Sequence, residues 1–255
     1  MNPSLLALSL GATLLGLFLT LLLFPRLGWT SANYRGDRLP LGAGWTFVAG
    51  GTLALYLLKA PWPFWLGTAL VALLGWIDDR LGDHRVRGVG GHLRALLRGE
   101  VTTGILKLFG VGILALGAAF DEDLLSWWVG ALLLAVATNT LNSLDLRPGR
   151  AGKGWLLLVF LAYLLGAKGP LGYVLGPFLL YFPFDLRARL MMGDTGANAL
   201  GWLWGLYLLS LPLHLQILFL ALLLGFHLWM ERHSLTRWLE EHPFFHFLDR
   251  LGQPR

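Results

Sequence analysis

Nine apolar runs divide this chain of 255 residues, at about residues 4–24, 42–58, 62–77, 103–120, 124–141, 154–168, 171–184, 196–211 and 213–230. Runs of roughly 15 to 20 apolar residues suit helices that cross a bilayer, because in hydrocarbon every backbone N–H and C=O must find its partner inside the segment. Hydrophobic residues make up 56% of the sequence and charged ones 14%, which is too apolar for a soluble domain of this length. The expectation is an all-α polytopic membrane protein of about nine transmembrane helices. The runs 154–168 and 171–184 are short and parted only by Gly-Pro, so they form either a helical hairpin or something less regular. The first run has no basic residue before Arg26 and no small-residue cleavage site, and it reads as a retained span rather than a signal peptide.

Charge then orients the bundle. Of the 20 Lys and Arg residues, only Lys59 and Lys168 fall on the even-numbered turnarounds, and the turnaround after the fourth run carries Asp121, Glu122 and Asp123. By the positive-inside rule the basic face is cytoplasmic, so the N-terminus is expected outside and the C-terminal tail inside. Residues 1–230 make a single transmembrane domain, and its longer loops, 25–41, 78–102, 142–153 and 185–195, all lie on the cytoplasmic side. Residues 231–255 follow as an amphipathic tail. There is no cysteine, which excludes disulfides and thiolate chemistry. A chain that spends its loop length on one face is expected to work there.

Four constellations sit on that face. In GWIDDRLGD, Asp78 and Asp79 end an apolar run, and carboxylates in such a place are expensive enough to suggest function. They suit a divalent cation, or they end a helix in the headgroup region with Arg80 as partner. In ATNTLNSLDLRPGRAGK, Asn139, Asn142 and Asp145 recur every third residue and share one side of a continuing helix. Arg147, Arg150 and Lys153 follow in a Pro- and Gly-containing stretch suited to anionic oxygens. In MMGDTGANALG, Asp194 or Thr195 is a natural N-cap, yet the flanking glycines also admit a ligand, and a bare helix start attracts phosphate. The segment 88–107 carries His92, Arg94, Arg98 and Lys107, which either rest on a membrane surface or meet a phosphate. His233, His242 and His246 in the tail have no metal-ligand spacing. Transport would place ionisable groups near midspan, and His227 alone approaches that.

GWIDDRLGD, the series Asn139, Asn142, Asp145 and MGDTGANALG, in this order on one membrane face, resemble the polyprenyl-phosphate N-acetylhexosamine-1-phosphate transferases. That family, glycosyltransferase family 4 in type, includes the phospho-N-acetylmuramoyl-pentapeptide transferase and the GlcNAc-1-phosphate transferases of wall and surface polysaccharide synthesis. The resemblance, over residues 30–215, implies a plasma-membrane enzyme that joins the sugar phosphate of a UDP-sugar to undecaprenyl phosphate on the cytoplasmic side, releasing UMP. It implies Mg²⁺, with Mn²⁺ as an alternative, and no nucleic-acid partner; a homodimer is left open. Carried over residue by residue, the catalytic group is Asp78, Asp79, Asp145 and Asn142, with Asp194 as principal metal ligand and Asp79 as a second. Asp78 would orient the lipid phosphate. Arg94 matches the spacing of the family's basic residue and Lys107 is its rival, while Asn139, Arg147, Arg150, Lys153 and His92 are expected to meet substrate. Three loops depart from the family pattern: Asp145-Leu-Arg-Pro-Gly stands for Asp-Gly-x-Asp-Gly, HPFFHF for a histidine-rich loop, and NYRGDRLPLGAG for a Lys- and Thr-rich segment. They point away from the housekeeping peptidoglycan transferase itself, towards a divergent member or a non-catalytic relative that binds polyprenyl phosphate or wall enzymes.

Overall fold

A computed structural model of the chain describes residues 2–82 and 88–253, with Gly88, Val89 and Leu93 described by backbone alone. Asp83, which ends the GWIDDRLGD stretch, and residues 84–87 of the 78–102 loop lie outside the described residues. Twelve α-helices are found among the described residues: α1 (Pro3–Leu23), α2 (Trp45–Leu57), α3 (Thr68–Leu81), α4 (Gly88–Leu97), α5 (Thr103–Ala118), α6 (Leu124–Leu144), α7 (Arg150–Leu164), α8 (Gly172–Leu186), α9 (Gly193–Leu208), α10 (Leu213–Arg232), α11 (Leu235–Glu241) and α12 (Pro243–Arg250). Each apolar run of the sequence is a helix. The two short runs 154–168 and 171–184 are the separate helices α7 and α8, turned at Gly166.

Three helices among the described residues, α1, α6 and α10, are long and apolar enough to cross a membrane, at 21, 21 and 20 residues. Residues such as Leu15 and Phe18 on α1 and Leu222 and Leu228 on α10 are exposed, as side chains that face lipid rather than protein are. The chain is thus a helical membrane protein. A π-helical turn, Pro63–Gly67, leads into α3, and Trp202 Nε1 donates to Pro63 O at 2.9 Å. A side chain from α9 thereby satisfies a carbonyl at the irregular turn.

The polar ends of the helices run further than the apolar runs indicate. The expected loops 142–153 and 185–195 shrink to 145–149 and 187–192, because α6 continues to Leu144 and α7 starts at Arg150. Hydropathy marks where a segment is apolar, but a helix continues wherever its backbone bonds and neighbouring helices support it. The all-α expectation holds for the bundle, and one short hairpin is added to it. Within loop 25–41, β1 (Thr30–Ala32) and β2 (Arg38–Pro40) form an antiparallel hairpin with Ser31 opposite Leu39. Asn33 Oδ1 accepts from Arg35 N at 2.8 Å and Asp37 N at 2.9 Å, so a side chain closes the turn. The hairpin is then stitched to the start of α9: Met191 N donates to Pro40 O at 2.9 Å, and Ala43 N and Gly44 N donate to Met191 O and Met192 O at 3.0 and 3.1 Å.

Helix α9 is the axis of the fold, buried on all sides from Thr195 to Leu208 and packed against α3, α6 and α7. Its own Trp202 and Trp204, and Trp155 of α7, are wholly buried. Glycine lets α3 approach closely: a Cβ on Gly75 would lie 2.3 Å from Asp194 O and 2.7 Å from Thr195 N. Those are backbone atoms and cannot swing aside. Gly75→Ala is therefore expected to cost about 1–3 kcal/mol through overpacking, read as a lower unfolding temperature in detergent. An unchanged temperature would show that the two helices separate freely at this point.

Candidate active site

Consecutive residues on a helix point about 100° apart, so the two carboxylates at the end of α3 serve different neighbours. Asp79 turns to the start of α9. Its Oδ1 accepts from Asp194 N at 2.9 Å, and its Oδ2 accepts from Thr195 N at 3.0 Å and Thr195 Oγ1 at 2.6 Å. A carboxylate from α3 thus caps α9, a task the sequence suggested for Asp194 or Thr195 themselves. Gly193 makes the approach feasible, since its φ is +70° and a Cβ there would lie 2.5 Å from Asp79 Oδ2. Burial, and second to it the charge of Asp194, pushes the Asp79 carboxyl up to about 7, against the donors that favour its charged form.

Asp78 turns instead to α5. Lys107 Nζ donates to Asp78 Oδ2 at 2.7 Å and also to Asp194 Oδ2, so one ammonium bridges carboxylates from α3 and α9. Asn142, from α6, donates its Nδ2 to the same Asp194 oxygen at 3.2 Å. The other amide atom, Asn142 Oδ1, is buried without a hydrogen-bond partner among the described residues. Four helices therefore bring Asp78, Lys107, Asn142 and Asp194 to one point. Asp145 caps the C-terminus of α6, and its buried carboxyl accepts from Gly193 N–H. Burial first, then the charges of Asp185, Asp194 and Asp79, push the Asp145 carboxyl well above the usual carboxylate range.

Asp185 is a member that the sequence reading did not single out. It is 3% exposed, and its carboxylate accepts from Gly149 N at 2.9 Å and from Met192 N–H. It ties the α6–α7 loop to the segment before α9. The signal was present, since Asp185 ends the apolar run FLLYFPF as Asp78 ends its own.

The remaining expected site residues scatter. Asn139 is half-buried one turn further along α6. His92 Nδ1 lies 2.8 Å from Thr102 Oγ1, where its ring packs on Gly104 at the start of α5. Arg94 donates to Gly90 O of its own helix at 3.0 Å and is exposed, so of the two rival cations Lys107 is the one among the carboxylates. Arg147 lies over the Tyr34 ring at 4.2 Å, between the hairpin tip and Glu240 at 3.8 Å. Arg150 and Lys153 were expected to meet substrate; the structure gives both to the tail. Arg150 Nε and Nη2 donate to the two Asp249 oxygens at 2.8 Å each, Nη1 donates to Thr236 Oγ1 at 2.9 Å, and Lys153 Nζ donates to Leu248 O at 2.8 Å. Beside the site, a cavity of about 340 Å³ is lined by Trp29, Trp76, Asp79 and Arg80 among others. The Arg80 guanidinium there lies 4.7 Å from the Trp29 ring and donates to Leu41 O.

No group of three or more acidic or histidine side chains is arranged to hold a metal ion among the described residues. A hard cation such as Mg²⁺ does not need one, since it takes one or two carboxylates and completes its shell with water and phosphate oxygens. Asp78 and Asp194 already converge on a positive charge, and the unpartnered Asn142 Oδ1 is a third oxygen of the right kind. The donor set fits such an ion.

Against known proteins, the family model described as Glycosyl transferase family 4 matches residues 61–212. The chain is 29% identical over 252 residues to a phospho-N-acetylmuramoyl-pentapeptide-transferase of Synechococcus sp. (strain JA-2-3B'a(2-13)), covering 84% of this chain and 72% of the relative. It is 33% identical over 188 residues to a protein of the same name from Moorella thermoacetica, covering 64% of this chain and 58% of the relative. A third, from Chlamydia trachomatis, is 27% identical over 222 residues, 72% of this chain and 64% of the relative. The matched range 61–212 takes in the carboxylates and Lys107 but neither the hairpin nor the tail.

Proposed function

The chain belongs to glycosyl transferase family 4, and from that membership we propose that it moves a sugar 1-phosphate from a UDP-sugar onto a polyprenyl phosphate, releasing UMP, on the cytoplasmic face of the membrane. The sugar is an N-acetylhexosamine in this reading. The observation that carries the reading is the meeting of Asp78, Asp194, Asn142 and Lys107 at the start of α9. A transfer between two phosphates must bring two anions together, and this point offers fixed positive charge and oxygen donors for a cation. With nine crossings and the N-terminus outside, as the distribution of Lys and Arg suggests, the point falls at the cytoplasmic headgroup level in this reading.

In the reaction an oxygen of the lipid phosphate attacks the β-phosphorus of the UDP-sugar. A new P–O bond forms, the bond from that phosphorus to the bridging oxygen breaks, and UMP leaves with the electron pair. A phosphate monoester near neutral pH is already ionised, so the attacking oxygen needs no general base. Asp78 instead orients the lipid phosphate through Lys107, whose ammonium faces the anions. A divalent ion, Mg²⁺ or Mn²⁺, would be held by Asp194 and Asp78 with Asn142 Oδ1. When bound it supplies further neutralisation of the phosphate charges. Asp79, with both oxygens engaged by α9, acts here as a positioning residue that fixes where Asp194 stands. Asp145 and Asp185 hold the neighbouring loops against that start. Arg147, stacked on Tyr34 and paired with Glu240, is the cation offered to the nucleotide end of the donor.

The test is UMP release by the purified chain supplied with undecaprenyl phosphate, Mg²⁺ and a panel of UDP-amino sugars. Release that requires lipid, metal and one sugar is the expected result and identifies the donor. Binding of the lipid phosphate with no release from any sugar would replace the transferase with a non-catalytic lipid-binding relative.

A further inference from the structure

Helix α12 is amphipathic in an inverted sense. Asp249 lies on its inner side and pairs with Arg150, and just past its end Gln253 Nε2 donates to Pro148 O at 2.9 Å. Phe244, Phe247, Leu248 and Leu251, spaced three and four apart, fall on the opposite side, at 67%, 63%, 41% and 53% exposed. A helix on a water-facing surface turns its apolar stripe to the protein and its charges outward. This one does the reverse, so its outer face calls for an apolar neighbour.

What lies next to that face is set by α10, whose apolar length qualifies it as a membrane span and which ends two residues before α11 begins. Aromatic rings run without a break from one to the other. Phe226 stacks near Trp229 at 6.3 Å, Trp229 on His233 at 5.2 Å, and Trp229 meets Trp238 edge-on at 6.1 Å. Trp238 then stacks on His242 at 4.2 Å and touches Phe245 at 5.1 Å. Tryptophan gathers where hydrocarbon meets water, because its ring is apolar and its N–H group is not. The ladder continues the lipid-facing surface of α10, where Leu222 and Leu228 are exposed, into the outer face of α12.

We propose that α11 and α12 lie on the cytoplasmic bilayer surface, with Phe244, Phe247, Leu248 and Leu251 set among the lipid headgroups and upper acyl chains, while the inner side of α12 straps the α6–α7 loop. An apolar helical face of this kind sits about 5–10 Å into the headgroup and acyl boundary. The lipid and Arg150 thus hold opposite sides of one helix. The membrane surface thereby becomes part of what keeps the loop after Asp145 in place. This inference does not depend on which reaction the carboxylates perform.

The chain has no cysteine, so Phe247→Cys and Glu241→Cys in the full chain each take a single nitroxide label. The labelled proteins are placed in nanodiscs of phosphatidylethanolamine and phosphatidylglycerol, and collisions with oxygen and with a water-soluble nickel chelate are compared. The expected result is a severalfold higher oxygen-to-nickel ratio at position 247 than at 241, with Phe244→Cys giving the same answer. Equal ratios at 241 and 247 would overturn the proposal. So would dipolar broadening at 247 that disappears on dilution with unlabelled protein, because a second copy would then cover the face.

Discussion

Asp194→Asn is expected to lower UMP release by the purified chain at least a thousandfold, with the protein still folded. A thousandfold corresponds to about 4 kcal/mol of barrier, within the range lost when one preorganised charge is taken from a site where phosphate charge develops. The substitution keeps the shape of the side chain and removes the negative charge that faces Lys107 and would hold a cation. Lys107→Met is expected to lose as much, for the complementary reason that Asp78 and Asp194 are then left facing each other uncompensated. Arg94→Met should change the rate less than twofold, because its guanidinium stays on its own exposed helix. UMP release measured for the three variants side by side separates the two cations. Loss at Arg94 with activity kept at Lys107 would move the catalytic charge to α4 and sink the present assignment.

Arg150→Ala is expected to release the tail. Its guanidinium and the Asp249 carboxylate are nearly buried, at 7% and 12% exposed, and pair through two hydrogen bonds of 2.8 Å. Removing one partner of a buried pair strands the other, which costs about 3–5 kcal/mol. That corresponds to a fall of roughly a hundred- to several thousandfold in hydrogen-exchange protection of the α12 amides, measured by mass spectrometry on the full chain. Replacing both partners, Arg150→Met with Asp249→Leu, leaves no stranded charge and should keep most of the protection. Unchanged protection in Arg150→Ala would mean that the lipid-facing side holds the tail unaided.

The two experiments bear on different parts of one arrangement. Asp79, Asp145 and Asp185 all accept hydrogen bonds from the backbone around the start of α9 or from the loops beside it. Asp78 and Asp194 are the carboxylates left to face Lys107. A row of acidic residues thereby divides into those that build the site and those that present charge in it. The division follows from hydrogen-bond geometry, because backbone N–H groups at a helix start need acceptors and cannot find them within the helix.

Much of this protein can be read directly from its residues. The apolar runs locate its long helices because hydrophobic length is a local property, readable without knowing what packs on what. The carboxylates at the ends of those runs, Asp78, Asp79, Asp145 and Asp194, announce a polar site for the same reason: they are costly wherever a membrane is near. The choice of Lys107 over Arg94 was beyond such reading, since it depends on α5 standing against α3 and α9. So did the fate of Arg150 and Lys153, which look like free cations in a glycine-rich loop until the tail is folded back over them. Asp79 and Asp194, far apart in the chain, meet because Gly75 and Gly193 leave the room. Composition and periodicity fix what each segment can be, whereas the partner of each charge is decided by which helices approach closely enough to share it.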